Sequence, residues 1–500
     1  MNIFDSIILG LKVGLDPINI FFCFIGVLVG TLIGVLPGIG PVGTISILLP
    51  ITAKLSPLSA IIMLAGIYYG CQYGGSTTSI LVNIPGEASS VITCLDGYQM
   101  AKDGRAGPAL GIAAIGSFIA GTCGLLGLSL LAYPISEFAL KFGPPEYFSI
   151  MVLAIIMLAY LAQGSLIKAL IMAVIGLILS SMGMDIVTGE LRFTFDILDL
   201  SDGVGLVPLV MGLFGISEVL VNLEKTVNKE ILRTKIKNLL PTLQDFNKSK
   251  FSIARGTVIG FFLGILPGAG PVISTFISYT VEKKLSKEPE KFGKGMIEGV
   301  AAPESANNAA TQASFIPLLT LGIPPNVTMA ILLGAFMIFG LQPGPLLLQD
   351  HPDVFWGVVV SMYLGNVMLL VLNLPLVPLW VQLLKIPYHI LFPLIILFCL
   401  IGSYSLNNST FDVYVMIIFG IVGYLIRKFR YEGAPLIMTF VLGPLMEQSL
   451  RGSLILSNGS FLIFLTRPIS LIILIVAFSL VFISIIANRS MERKVQRSKS

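Results

Sequence analysis

The residues best equipped to hold a polar ligand lie where the chain is otherwise apolar. Leu36-Pro-Gly-Ile-Gly-Pro41 and Leu266-Pro-Gly-Ala-Gly-Pro271 are nearly identical, and 266 − 36 = 230 residues separate them in a chain of 500. Proline lacks an N–H and clashes with the preceding turn, so a helix is interrupted at each copy. Within a bilayer, the freed backbone groups must be buried in protein or line a polar cavity. Half-helix N-termini carry unpaired N–H groups and a partial positive charge that suit a carboxylate. Unwound carbonyls and half-helix C-termini suit Na⁺. Gly38, Gly40, Gly268 and Gly270 present bare backbone for close approach, and Thr44 and Ser274 follow at equivalent positions. Paired Gly/Pro interruptions in two halves are the sequence pointer to a midplane binding site. The plainer reading is a pair of kinks that permit tight packing.

Two further stretches bring hydroxyls and amides to membrane depth. Gly74-Gly-Ser-Thr-Thr-Ser79 supplies Gly74, Gly75, Ser76, Thr77 and Thr78, with Asn83 following, and Asn307-Asn-Ala-Ala-Thr-Gln312 is read as its opposite number, supplying Asn307, Asn308 and Thr311. Such groups orient a carboxylate without bringing a counter-charge, and their oxygens ligate Na⁺; the alternative is hydroxyl back-bonding and small-residue packing. Gly74-Gly75 is no phosphate loop, because no Gly-Lys-Ser/Thr follows. Intramembrane acids are functional candidates. Glu87 and Glu304 flank the polar stretches and are suited to a cation or proton, unless Glu87 sits at the membrane surface and Glu304 serves a helix N-terminus. Glu218 and Glu447 are expected to pair with interfacial basic groups, and Lys168 to snorkel.

Composition sets the surroundings. Hydrophobic residues make up 55% of the chain and charged residues 12%, with mean hydropathy +0.92. A soluble domain carries about 25% charge, so this is an all-α, polytopic membrane protein. At about 20 apolar residues per crossing, there is room for roughly 10–12 transmembrane or re-entrant helices. The net charge of +4 lies largely in loops and tail and reports orientation, not a nucleic-acid partner. The five cysteines show no Cys-x-x-Cys spacing, and His351 and His389 stand alone. They read as small buried hydrophobes and lone imidazoles, with no metal centre, disulfide framework or cofactor. Residues 1–16 include Asp5, Lys12 and Asp16, so no cleavable leader is expected.

In order along the chain, residues 17–36 and 40–52 flank the first interruption. An apolar segment at 58–73 runs into the second irregular stretch, Tyr73–Ser79 running to Asn83–Glu87. Asp96–Arg105 reads as a polar loop, 185–202 as an acidic one and 224–255 as a basic linker. The second half repeats the plan. Ile84-Pro-Gly86 matches Ile323-Pro-Pro325, Ala106-Gly-Pro-Ala-Leu110 resembles Pro343-Gly-Pro-Leu-Leu347, and Val207-Pro-Leu-Val-Met211 matches Ala434-Pro-Leu-Ile-Met438. The expected division is a first membrane repeat over 1–222, a basic cytoplasmic linker over 223–252 and a second repeat over 253–452. An additional helix and basic tail follow over 453–500. Short loops rich in Lys and Arg mark the cytoplasmic side. Loop 185–202 is acidic where its counterpart 427–432 is basic, and loop 96–105 carries Lys102 and Arg105 where 342–353 carries Asp350 and Asp353. Opposite charge at equivalent loops predicts two repeats of inverted topology.

The runs Gly34-Val-Leu-Pro-Gly-Ile-Gly-Pro41, Tyr73-Gly-Gly-Ser-Thr-Thr-Ser-Ile-Leu-Val-Asn-Ile-Pro-Gly-Glu87 and Asp96-Gly-Tyr-Gln-Met-Ala-Lys-Asp-Gly-Arg-Ala-Gly-Pro-Ala-Leu110 resemble the large permease subunit of bacterial tripartite tricarboxylate transporters. Leu266–Pro271 and Pro303-Glu-Ser-Ala-Asn-Asn308 fit the same family, and the resemblance covers nearly the whole chain. It implies a multi-pass subunit of the bacterial inner membrane and a secondary importer of tricarboxylates or related small organic acids, driven by Na⁺ or H⁺. It further implies a small four-helix membrane subunit and a periplasmic solute-binding protein that delivers the substrate. The other readings are a single-component organic-anion symporter, a channel, or a membrane-embedded enzyme. An enzyme would need a nucleophile–base pair or metal cluster, and neither stands at a recognisable spacing.

Overall fold

The structure, a computed structural model of the chain, describes residues 3–36, 38, 40–161, 165–185, 187–224, 239–383, 388–480 and 482. Pro37, residues 225–238 of the basic linker, the His389 side chain and the tail from 483 lie outside the described residues. The described chain is helical apart from one antiparallel hairpin that pairs Gly183–Met184 with Leu191–Arg192. Among the described residues, six helices are long and apolar enough to cross a membrane: Pro17–Val35, Ala106–Ala139, Pro144–Leu161, Leu206–Glu224, Pro352–Asn373 and Thr410–Lys428. Five shorter apolar helices accompany them, among them Gly40–Thr52 and Val327–Ile338. The chain is a polytopic membrane protein.

Contacts divide the chain into two units, Met1–Ser136 with Gly205–Leu425, and Glu137–Val204 with Ile426–Ser500. The first unit contains two hairpins built to one plan. Asp16 caps the helix Pro17–Val35, and a Thr242/Asp245 capping box starts Leu243–Ile265. Gly26, Gly30 and Gly34 of the first bring its backbone against Met63, Ile67 and Cys71 of the long helix Pro57–Val82. Gly256, Gly260 and Gly264 of the second do the same against Ala302, Ala306 and Ala310 of Glu298–Ala313. Glycine at every fourth position clears one helix face, so backbones meet where a side chain would hold them apart. The glycine helices correspond at 256 − 26 = 230, and their partners at 302 − 63 = 239. Helix Pro57–Val82 ends at left-handed Asn83, and the extension Phe315–Leu321 ends at left-handed Gly322, again 239 residues on. This register sets Gly74–Ser79 opposite residues 313–318, six places from the pairing with Asn307–Gln312 that the sequence suggested.

The described residues of the two interruptions share a backbone pattern. Leu36 and Leu266 end their helices in extended conformation, and Gly38, Gly40, Gly268 and Gly270 all have positive φ, a region that glycine alone enters freely. The helices Gly40–Thr52 and Gly270–Leu285 then start anew.

Two sequence expectations are corrected. Gly74–Ser79 is not irregular but helical throughout, inside Pro57–Val82. The helix is buried on nearly every side, so its backbone groups are satisfied only by its own ladder. Asp96–Arg105 is mostly helix (Thr93–Lys102), and buried Asp96 faces inward. Its carboxylate accepts from Gly293, Gly295 and Met296 N–H (2.7–3.0 Å) and from the Tyr279 hydroxyl (2.8 Å), which fixes the turn before Glu298–Ala313.

The last helix of each half packs on helices of the other half. In the first, Leu206–Glu224 carries a π-helical stretch at Met211–Ile216 and lays Gly212 on the Met416 carbonyl of Thr410–Lys428. In the second, Ala434–Leu456 packs on Leu166–Ser180, where Gly176 meets Leu436 and the Thr439 hydroxyl donates to the Ala173 carbonyl (2.8 Å). The second unit also holds the charges at the hairpin. Glu447 pairs with Arg192 and Arg451, and Asp185 with Arg451. Lys168 donates to the Phe429 carbonyl and lies over the Tyr431 ring. The cysteines are free, with Cys23, Cys71 and Cys399 buried, Cys94 half-buried and Cys123 exposed.

Candidate functional site

Buried polar side chains converge on the two long partner helices of the first unit. Glu304 is fully enclosed. Ser76 donates to one of its oxygens (2.5 Å) and Thr93 to the other. Glu87 lies in the turn after Pro57–Val82 and accepts from Ser89 and from Asn307 Nδ2 (3.4 Å). Ser89 is also placed to donate to Gln72 Oε1 (2.8 Å). No ion pair among the described residues involves either glutamate. The enclosed Glu304 carboxylate and the half-buried Glu87 therefore face hydroxyls and amides without a basic partner.

Around them, several polar atoms have no partner at all: Asn307 Oδ1, Asn308 Oδ1, both polar atoms of Gln312, and Asn373 Oδ1. A buried polar group left unpaired costs about 1–3 kcal/mol. Gathered on Glu298–Ala313 and, at Asn373, beside Glu304, such groups mark a site with capacity for a polar guest. A small pocket opens there, with Tyr73, Ser76, Ser117, Glu304 and Asn373 in its wall.

The second interruption is tied to the same network. Gly268 N–H donates to the Pro325 carbonyl (2.8 Å), and Gly270 lies beside Asn326. Asn326 donates to the Tyr68 hydroxyl (3.3 Å), which neighbours Thr311. On the side of the first interruption, Gly40–Thr52 packs on Pro57–Val82 and on Val327–Ile338, the helix that Asn326 caps. Thr44 neighbours the Cys71 thiol.

The candidates drawn from sequence fall into three groups. Ser76, Glu304, Asn307 and Asn308 belong to the polar cluster, Thr77 lines its pocket, and Gly75 clears space for Glu87, whose Cγ would stand 2.7 Å from an added Cβ. A second group serves the helices. Thr44, Ser274 and Thr311 return their hydroxyls to the carbonyls of Gly40, Gly270 and Asn307, Thr78 caps the Val35 carbonyl (2.5 Å), and Gly74 packs on Thr31. The third lies at turns: Gly38 beneath Glu218 and Asn222, Gly40 with open space above it, Gly268 and Gly270 beside the Pro325–Asn326 turn, and Asn83 exposed at its helix end. Sequence reading missed Gln72, Tyr73, Ser89, Thr93, Ser117, Gln312, Asn366 and Asn373. The available signal was a lone polar residue inside an apolar helix, clearest at Asn366 and Asn373.

Comparison with known proteins points one way. The family description "Tripartite tricarboxylate transporter TctA family" matches residues 20–438. An Agrobacterium vitis protein titled "Uncharacterized 52.8 kDa protein in TAR-I ttuC' 3'region" is 51% identical over 496 residues, covering 99% of both chains. A second, titled "Uncharacterized protein in TAR-II ttuC' 3'region" from the same organism, is 55% identical over 211 residues, which is 42% of this chain and 87% of the relative. No solved structure matches.

Proposed function

Because the chain belongs to the tripartite tricarboxylate transporter TctA family, and so is a transporter subunit and not an enzyme, we propose that it is the large permease subunit of a cation-coupled importer of small organic acids in the bacterial inner membrane. Tricarboxylates or related carboxylates are the substrate class, and Na⁺ or H⁺ is the driving ion. A periplasmic solute-binding protein delivers the substrate, and a small four-helix subunit completes the assembly.

One observation carries this reading. The buried Glu304 carboxylate, with half-buried Glu87 beside it and neither given a basic partner, lies among unpaired amide oxygens between two interrupted-helix hairpins. A buried charge of this kind is stable only when paired or neutralised, so a mobile cation or proton has a defined place to act. The new helix starts at Gly40 and Gly270 present N–H groups to an anion, and access alternates as one part of the molecule moves against the other.

The two halves, 1–222 and 253–452, are read as inverted repeats joined by the linker 223–252, with 453–500 an added helix and tail. The matching glycine registers and the packing of each half's last helix on the other half support the repeat, and the opposed loop charges support its inversion. Single cysteines introduced by Thr188→Cys and Glu432→Cys are then labelled from opposite faces of the membrane. Labelling from one face would end the inverted reading.

The deciding experiment is uptake into vesicles bearing all three components, with Na⁺ and pH gradients varied separately. Saturable uptake that follows one gradient and needs the binding protein is expected. Uptake indifferent to both gradients, or dependent on ATP, would overturn the proposal.

A further inference from the structure

Tyr73, Ser76 and Ser117 bring to the pocket beside Glu304 hydroxyl oxygens whose protons are committed elsewhere. Asn366 is fixed by Nδ2 donation to the Phe118 carbonyl and the Thr122 hydroxyl (both 3.0 Å), so its Oδ1 takes the Tyr73 hydroxyl proton (3.0 Å). The Tyr73 oxygen keeps its lone pairs. Asn308 Nδ2 donates to Ser117 Oγ (2.7 Å), and Ser117 Oγ donates in turn to the Glu304 backbone carbonyl (3.4 Å). Ser76 gives its proton to the Glu304 carboxylate. Asn373 is only 5% exposed, and its Nδ2 is spent on the Leu369 carbonyl (3.0 Å). That bond settles the amide's orientation and leaves Oδ1 as the free end, with no partner.

We propose that Tyr73, Ser76, Thr77, Ser117, Glu304 and Asn373 form a binding site for one dehydrated Na⁺ ion. The pocket offers a carboxylate, hydroxyl oxygens and an amide oxygen, the donor set of a hard cation. Surrounding amides lock those oxygens into the accepting orientation, as outer-shell partners do at metal sites. Glu304 brings one negative charge, which a monovalent ion cancels, whereas a divalent ion would leave an uncompensated positive charge in a buried place. Among the described residues no group of His, Cys, Asp or Glu is disposed to hold a transition metal. A proton would neutralise Glu304 yet leave Asn373 Oδ1 unpaired. The site draws on both halves, with Tyr73, Ser76, Thr77 and Ser117 from the first, and Glu304 and Asn373 from the second.

This assignment rests on the coupled-transport reading and names its ion and ligands. The test uses the purified full-length chain in nanodiscs without its partners. Thermal stability and ²²Na⁺ binding are followed while NaCl replaces choline chloride or KCl at constant ionic strength. Saturable, Na⁺-selective stabilisation is expected for the wild type. Asn373→Ala and Glu304→Gln should weaken the apparent Na⁺ affinity at least tenfold while melting like the wild type in choline, and Asn373→Asp should retain binding. An equal response to K⁺ and choline, a response to pH alone, or wild-type Na⁺ affinity in both Asn373→Ala and Glu304→Gln would overturn the site. The last outcome includes a pocket that merely holds water. Na⁺ binding without Na⁺-driven uptake would instead sink the coupling reading and leave the site standing. Na⁺-driven uptake with unchanged affinity in the variants would do the reverse.

Discussion

Replacing Gly260 by alanine tests whether the glycine register positions the site. An ideal Cβ at Gly260 falls 2.2 Å from the Ala306 carbonyl oxygen and 2.7 Å from its Cα, whereas ordinary contact begins at 3.4 Å. The helices must therefore part or shear by 3.4 − 2.2 = 1.2 Å. Overpacking of this kind costs about 1–3 kcal/mol, and separation forfeits Cα–H···O contacts of about 0.5–1 kcal/mol each. Alanine's better helix propensity returns about 1 kcal/mol. A net loss of about 1–2 kcal/mol is expected, read as a lower melting temperature in detergent. Uptake should suffer more. Glu304 and Asn307 flank Ala306 on the displaced helix, and a shift near 1 Å in a binding constellation costs up to about 100-fold. Gly357→Ala is the control, because its added methyl meets side-chain methyls alone, those of Leu58 at 3.2 Å and Val13 Cγ1 at 3.3 Å, which can give by a few tenths of an ångström. Gly260→Ala that melts and transports like Gly357→Ala would refute the close-packed register.

Other outcomes follow from the same contacts. Asn307→Ala and Gly75→Leu should abolish uptake while membrane insertion stays intact, since the first removes a donor to Glu87 and the second drives a side chain into it; wild-type uptake would contradict the site. Asp96→Asn leaves one acceptor where a carboxylate served three N–H groups and a hydroxyl. The melting temperature should fall by the equivalent of about 2–3 kcal/mol, and an unchanged value would show the cap to be dispensable. At the hairpin, the Arg451 guanidinium and then the Val187 N–H hold the Asp185 carboxyl well below the ordinary carboxylate range. A lowered folded-state value adds stability above the unfolded value, and that stability is lost as pH falls toward the folded one. Hydrogen-exchange protection of residues 183–192 should therefore decline below about pH 4. Asp185→Asn should abolish that dependence, and a flat profile in the wild type would count against the ion pair.

Local chemistry was legible along the chain. Apolar composition gave a polytopic helical protein, the Pro-Gly-x-Gly-Pro copies gave both interruptions, and Glu304, Asn307 and Ser76 were recognisable as polar groups out of place in lipid. Each of these follows from a property that a residue carries anywhere, such as proline's missing N–H or the cost of a carboxylate away from water. The helical state of Gly74–Ser79 was not legible, because small and hydroxyl residues disfavour a helix until burial removes every other partner for the backbone.

Some features belong to the tertiary structure alone. Ser117 stands 191 residues from Asn308 and 187 from Glu304, the two groups it bonds, and nothing in local spacing joins them to one pocket. The partner helices align at an offset of 239 where the glycine helices keep 230, so only packing could reveal the register. The packing of each half's last helix on the other half is likewise a matter of which faces bury one another. Residue type determines what a group can do and what it costs to enclose, and long-range packing alone decides which groups are enclosed together.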